Sequence, residues 1–137
     1  MKKILLLSLF VSNSLNAGVI ADTIYLEARG EGENGMRAVA TVIYNRAKGK
    51  IEDMVSVCLK PKQFSCWNAS KNNKIAPKNF LDRRAYKLCH TIEKELMEGN
   101  FKPLGNWTHY HVFSITPSWN KSRNGTKIGN HLFLKTK

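Results

Sequence analysis

Residues 23–46 read TIYLEARGEGENGMRAVATVIYNR. The apolar run Ile24, Tyr25, Leu26 delivers Glu27 to the end of a short helix, Gly30 and Gly32 supply the backbone freedom that ends it, and a second, amphipathic helix begins. This layout places an acid in a cleft. A carboxyl group against aliphatic and aromatic walls has its charged form disfavoured, so it can hold a proton near neutral pH and donate it to a leaving group. Glu27 is therefore the candidate catalytic acid, against the plainer reading of one more surface acid in a loop.

Outward from this stretch the pattern is helical first and extended last. A short helix is predicted from about Val19 to Arg29. In the next, Met36, Val39, Ala40, Ile43 and Ala47 fall at the spacing of one buried face, with Asn34 or Glu33 as cap and Gly49 as stop. Residues 51–77 break into short apolar clusters between polar loops and read as a lobe edge. A third helix is predicted from the N-cap Asn79 to Met97, with Leu81, Ala85, Leu88, Ile92 and Leu96 as its core stripe. From Trp107 to Ser114 the period changes to two, the mark of a strand; a second strand is predicted over Ile128–Leu134, after a loop holding Pro117, Trp119 and the turn dipeptide Asn124-Gly125. The expected fold class is α+β, mainly helical, with a small antiparallel sheet in the C-terminal third.

The chain opens on Met1, Lys2 and Lys3, an apolar run from Ile4 to Val11, and small and polar residues to Ala17. This is a secretory signal peptide in outline, too short for the roughly 20 residues a membrane-spanning helix needs. Residues 1–17 are read as that signal and 18–137 as a single catalytic domain, secreted or periplasmic and monomeric. The net charge of +12 seeks anions. For an exported protein these are anionic cell-envelope polymers, and the scatter of basic residues from Lys48 to Lys137 argues for no nucleic acid partner. Of Cys58, Cys66 and Cys89, the first two bracket a loop that a disulfide could tie, and Cys89 reads as a small buried hydrophobe.

Five words occur in order: EARGE at 27–31, YNR at 44–46, QFS at 63–65, THYH at 108–111 and IGNHLF at 128–133. With them the chain from about Ile20 to Phe133 resembles the cell-wall hydrolase family of the spore-cortex-lytic enzyme SleB. The resemblance implies a peptidoglycan-cleaving enzyme acting at the N-acetylmuramic acid to N-acetylglucosamine bond, with the first glutamate of EARGE, Glu27, as catalytic acid. It also implies a lysozyme- or lytic-transglycosylase-like two-lobed shape and a reaction that needs no metal or other cofactor. The sequence shows no separate wall-anchoring repeat, so wall targeting is expected from charge, from a partner or from the cleft.

Breaking a glycosidic bond requires a proton on the leaving oxygen and something to attack or stabilise the anomeric carbon. The further carboxylates are Glu31, Glu33, Glu52, Asp53 and Asp82; Glu31 is nearest but is expected to organise the glycine turn instead. A single acid suits a lytic transglycosylase, in which the sugar's own 6-hydroxyl attacks and leaves a 1,6-anhydro product; hydrolysis by a muramidase with the same acid is the alternative. Stacking and hydrogen-bonding candidates for the sugars are Gln63, Phe64, Tyr110, His111, Trp119 and His131. A rival chemistry is a zinc-dependent wall amidase or peptidase built on His109, His111 and His131 with Glu27 as a fourth ligand, although His-x-His alone is a weak signal and the chain has no HExxH motif. A non-catalytic wall-binding module is the third reading.

Overall fold

The computed structural model describes residues 18–60, 64, 75 and 77–136. The expected signal at 1–17, and Gln63, Cys66 and Trp67, lie outside the described residues. Among the described residues four helices and a three-stranded sheet follow in order: α1 (Val19–Ala28), α2 (Gly32–Arg46), α3 (Ile51–Leu59), α4 (Phe80–Met97), β1 (His109–Val112), a 3-10 turn (Ser118–Asn120), β2 (Thr126–Ile128) and β3 (His131–Leu134). The expected mainly helical α+β fold with a C-terminal antiparallel sheet is what forms.

Helix α1 is apolar on nearly every side, with Ile20, Ala21, Ile24, Tyr25 and Ala28 buried, so it has to be enclosed by its neighbours. It packs on α2, α3 and α4. Its exposed N-terminal amides are met from α4, where Glu93 Oε2 accepts from the Ala21 amide at 2.8 Å, an anion at the positive end of the helix. Helix α2 buries Met36, Val39, Ala40, Ile43 and Ala47 as its spacing predicts, although Glu31 rather than Glu33 or Asn34 stands at its N-cap. Arg37 joins it to α4 through a forked pair with Glu95, Nη1 to Oε2 at 2.7 Å and Nη2 to Oε1 at 3.2 Å.

Three features depart from the sequence reading. The stretch expected to be a lobe edge contains α3, whose Met54 and Cys58 sit four apart on one buried face. In α4, Asn79 caps as predicted, its Oδ1 accepting from the Asp82 amide at 2.8 Å. The buried stripe, however, is Cys89, Ile92 and Leu96, while Leu81 is 73 % exposed: the helix begins beyond the edge of the core. The strand predicted over 128–134 is two strands, β2 and β3, joined at Gly129-Asn130. The sheet order is β1-β3-β2, all antiparallel.

Cys58 and Cys89 are buried free thiols; the tie that the sequence allows between Cys58 and Cys66 involves a residue outside the described ones. Cys89 Sγ lies 3.6 Å from Met36 Sδ, in the apolar role expected of it. Burial pushes both thiols up to about 12, which leaves almost no thiolate near neutral pH to act as a nucleophile.

The Arg37 guanidinium, chiefly through its hydrogen bonds, holds the Glu95 carboxyl below its usual value. A lowered carboxyl contributes stability that is present above the unfolded value of about 4.3 and lost as pH falls through the folded one. Glu95→Gln is therefore expected to cost about 1 kcal/mol at pH 7. In urea titrations that difference should shrink as the pH is taken below about 4.

Candidate active site

Described residues of the five words, with Phe64 the one from QFS, come together between the α1–α2 helices and the sheet. EARGE supplies the α1–α2 junction. Glu31 reaches across to the β2–β3 hairpin, where Oε2 accepts from the Asn130 amide at 2.9 Å and Oε1 stands 3.5 Å from His131 Nδ1. Two glycines make room for it. A Cβ on Gly35, one turn into α2, would collide with Glu31 Cβ, and one on Gly129, at φ +57°, would collide with Oε2. Each side chain of the Glu31–His131 pair is only 13 % exposed.

YNR ends α2 and ties it to the segment leading into β1. Asn45 Nδ2 donates to the carbonyls of Gly105 (3.0 Å) and Trp107 (2.7 Å), and Arg46 Nε donates to that of Thr108 at 2.6 Å. Tyr44 turns the other way, against Phe101, so the word divides between packing and polar roles as its position on one helical turn requires. The Arg46 guanidinium carbon lies 5.1 Å from the centre of the Phe64 ring. Phe64 itself is buried, and a stacked guanidinium is a favourable cation–π contact. Burial lowers the Arg46 pKa, opposed by the Coulombic pull of Tyr110, Cys58 and Glu27 in that order.

Tyr110 stacks on Phe133 with ring centres 5.2 Å apart and meets His131 edge-on at 5.3 Å. The register pairs Tyr110 with Phe133 and Val112 with His131, and directly paired residues share a sheet face. Tyr110 and His131 therefore face the helices together. His109 and His111 point to the other face, where both contact Trp119, at 5.9 and 5.4 Å between ring centres. The structure thus gathers Glu27, Phe64, Tyr110 and His131 around Arg46 and Glu31, and sets His111 and Trp119 apart; Gln63 lies outside the described residues. The zinc constellation proposed from sequence cannot assemble, because His131 is on the wrong face of the sheet to join His109 and His111. Burial, and then the charge of Arg46, lowers the His109 pKa; its Nδ1 sits 2.9 Å from the hydroxyls of both Thr108 and Thr136.

Among the described residues three buried side-chain polar atoms lack a hydrogen-bond partner: Tyr25 Oη, Glu27 Oε1 and Arg46 Nη1. Tyr25 belongs to the α1–α4 contact, edge-on to Tyr86. The other two belong to groups of opposite charge, Glu27 near the end of α1 and Arg46 at the C-terminal end of α2, close enough for the Glu27 charge to act on the guanidinium. Unsatisfied buried polar atoms are uncommon in folded proteins, and a functional role is one of their explanations. Arg46 is the site residue that local sequence reasoning did not single out; its place in the YNR word was the available signal.

The site brings together an acid near a helix end, a buried arginine, and a tyrosine and a histidine from an antiparallel sheet. The family model described as Cell Wall Hydrolase matches residues 30–134, well over half of the chain. The chain belongs to the cell wall hydrolase family, the SleB family domain; it is a cell wall hydrolase whose substrate is peptidoglycan. No curated protein and no solved structure matches the chain significantly.

The two glutamates of EARGE are separable by experiment. Glu31→Ala frees the hairpin and strands the Asn130 amide, at a cost of about 1–3 kcal/mol, whereas Glu31→Gln keeps an acceptor there. Denaturation and wall-lysis assays together should show Glu31→Gln retaining substantial lysis. Glu27→Gln should unfold no more easily than the parent and should not lyse. Inactive but stable Glu31→Gln would assign the chemistry to Glu31 instead.

Proposed function

We propose that the protein cleaves the glycan strand of peptidoglycan between N-acetylmuramic acid and N-acetylglucosamine by lytic transglycosylation, with Glu27 as general acid and then base. The observation that carries this reading is that, among the described residues, Glu27 is the carboxylate with a buried oxygen that has no hydrogen-bond partner. The other carboxylates considered from sequence are engaged or distant. Glu31 holds the hairpin, Glu33 pairs with Arg37 at 2.9 Å, Glu52 and Asp53 are exposed on the first turn of α3, and Asp82 is on the first turn of α4.

With one free carboxyl the chemistry is best completed by the substrate. Protonated Glu27 gives its proton to the O4 leaving oxygen of N-acetylglucosamine as the bond to muramic C1 breaks. The muramic 6-hydroxyl attacks C1, and the Glu27 carboxylate takes that hydroxyl's proton. The carboxyl is thereby restored and the product carries a 1,6-anhydro ring. Arg46, held by Thr108 and Phe64, has a free N–H to steady the carboxylate in the interval, a charge stabilisation that buried donors supply well. Tyr110 and His131 offer ring faces and polar edges to the sugars. The enzyme works outside the cytoplasm as a monomer, exported through residues 1–17, and its basic surface adheres to anionic envelope polymers.

Mass spectrometry of the muropeptides released from purified peptidoglycan tests this directly. Anhydro-muramic ends are expected, and Glu27→Gln should reduce their formation by about 10²–10⁴-fold. Reducing muramic ends would make water the attacking group and the protein a muramidase. Freed stem peptides on intact glycan would overturn the reading.

A further inference from the structure

On the sheet face away from Tyr110, the loop between β1 and β2 carries Trp119 on its 3-10 turn, 50 % exposed. The turn is fixed from beneath by Asn120, only 4 % exposed. Asn120 Nδ2 donates to the Asn124 carbonyl at 3.0 Å and meets His111 Nε2 at 2.9 Å, while Oδ1 accepts from the Asn124 amide at 3.1 Å. A buried amide with its polar atoms engaged makes a rigid mount. What it mounts is a large aromatic ring left half in water, which contributes little to the core.

Beside the ring is an open cavity of about 800 Å³ whose walls include Trp119, Asn106, Ser122, Asn124, Thr126 and Lys135. Its size falls within the about 300–1,000 Å³ of small-ligand sites. Its described walls include neither Glu27, Arg46 nor Tyr110. The chemistry is specific: an indole presents an apolar plane to the C–H face of a pyranose, amides and hydroxyls match sugar hydroxyls and N-acetyl groups, and one ammonium matches a carboxylate.

We propose that this cavity is a second glycan-binding site, distinct from the Glu27 site. It takes an N-acetylhexosamine strand of peptidoglycan against Trp119, with Lys135 toward a lactyl or stem-peptide carboxylate. The choice of ligand rests on the family's wall substrate; the site does not depend on the role of Glu27. It holds the enzyme on the wall between cuts.

The test combines binding and turnover in the full chain. In a Glu27→Gln background, Trp119→Ala and Ser122→Tyr, the latter filling the cavity from an exposed position, should each weaken co-sedimentation with purified sacculi roughly tenfold. With Glu27 intact, Ser122→Tyr should turn over short soluble glycan fragments at the parental rate. Unchanged sacculus binding in both variants would overturn the proposal. So would a fall in fragment turnover in step with binding, which would make the cavity part of the catalytic cleft. Cleavage surviving Glu27→Gln would overturn the acid assignment alone, since wall binding would still depend on Ser122 and Trp119.

Discussion

The fold turns on a carboxylate placed in a slot made by two glycines. Glu31 stands at the N-cap position of α2, but its side chain passes Gly35 and Gly129 and takes the Asn130 amide from a hairpin 99 residues further along the chain. Because that hairpin carries His131, and β3 carries Phe133, the contact fixes where Tyr110 stands over the α1–α2 junction. Asn45 and Arg46 make the complementary tie at the other end of α2, to the backbone entering β1. Helix α2 is thus fastened to the sheet at both ends by polar contacts, and the apolar packing between them sets the distance.

Against this background of satisfied groups two charged side chains stand out, beside the Tyr25 hydroxyl, which is also unpaired among the described residues. The fold uses Glu31, Glu33, Glu93 and Glu95 as acceptors for named donors, and leaves Glu27 Oε1 and Arg46 Nη1 closed from water without partners among the described residues. Leaving such groups unpaired costs about 1–3 kcal/mol each, more when charged. The electrostatic influence of Glu27 on Arg46 makes the two a charged pair, and the proposed substrate contacts are built on it.

What could be read from sequence was what local spacing encodes. The buried face of α2, the Asn79 cap and the alternation through His109–Val112 follow from the residues themselves. Helix α3 was hidden because it is only nine residues long and runs into the polar stretch after Lys60, although Ile51, Met54, Val55 and Cys58 keep the helical spacing. The β2–β3 hairpin was hidden because β2 is only three residues long, two of them polar, so the turn signal Gly129-Asn130 has no recognisable strand before it. The first turn of α4 continues the apolar spacing, yet projects Phe80 and Leu81 into solvent, since periodicity does not say where a core ends. At the site, Glu27 was legible as an acid after an apolar run. The work of Glu31 and the separation of His131 from His109 and His111 were not, because both depend on the register of β3 against β1.

The most direct measurement is a crystal structure of the Glu27→Gln variant bound to a peptidoglycan tetrasaccharide. The account predicts the scissile oxygen within hydrogen-bonding distance of the residue 27 amide, with the muramic 6-hydroxyl near C1 and Glu31 still on the Asn130 amide. A scissile bond lying instead against Glu31, or against His109 and His111 across the sheet, would contradict it.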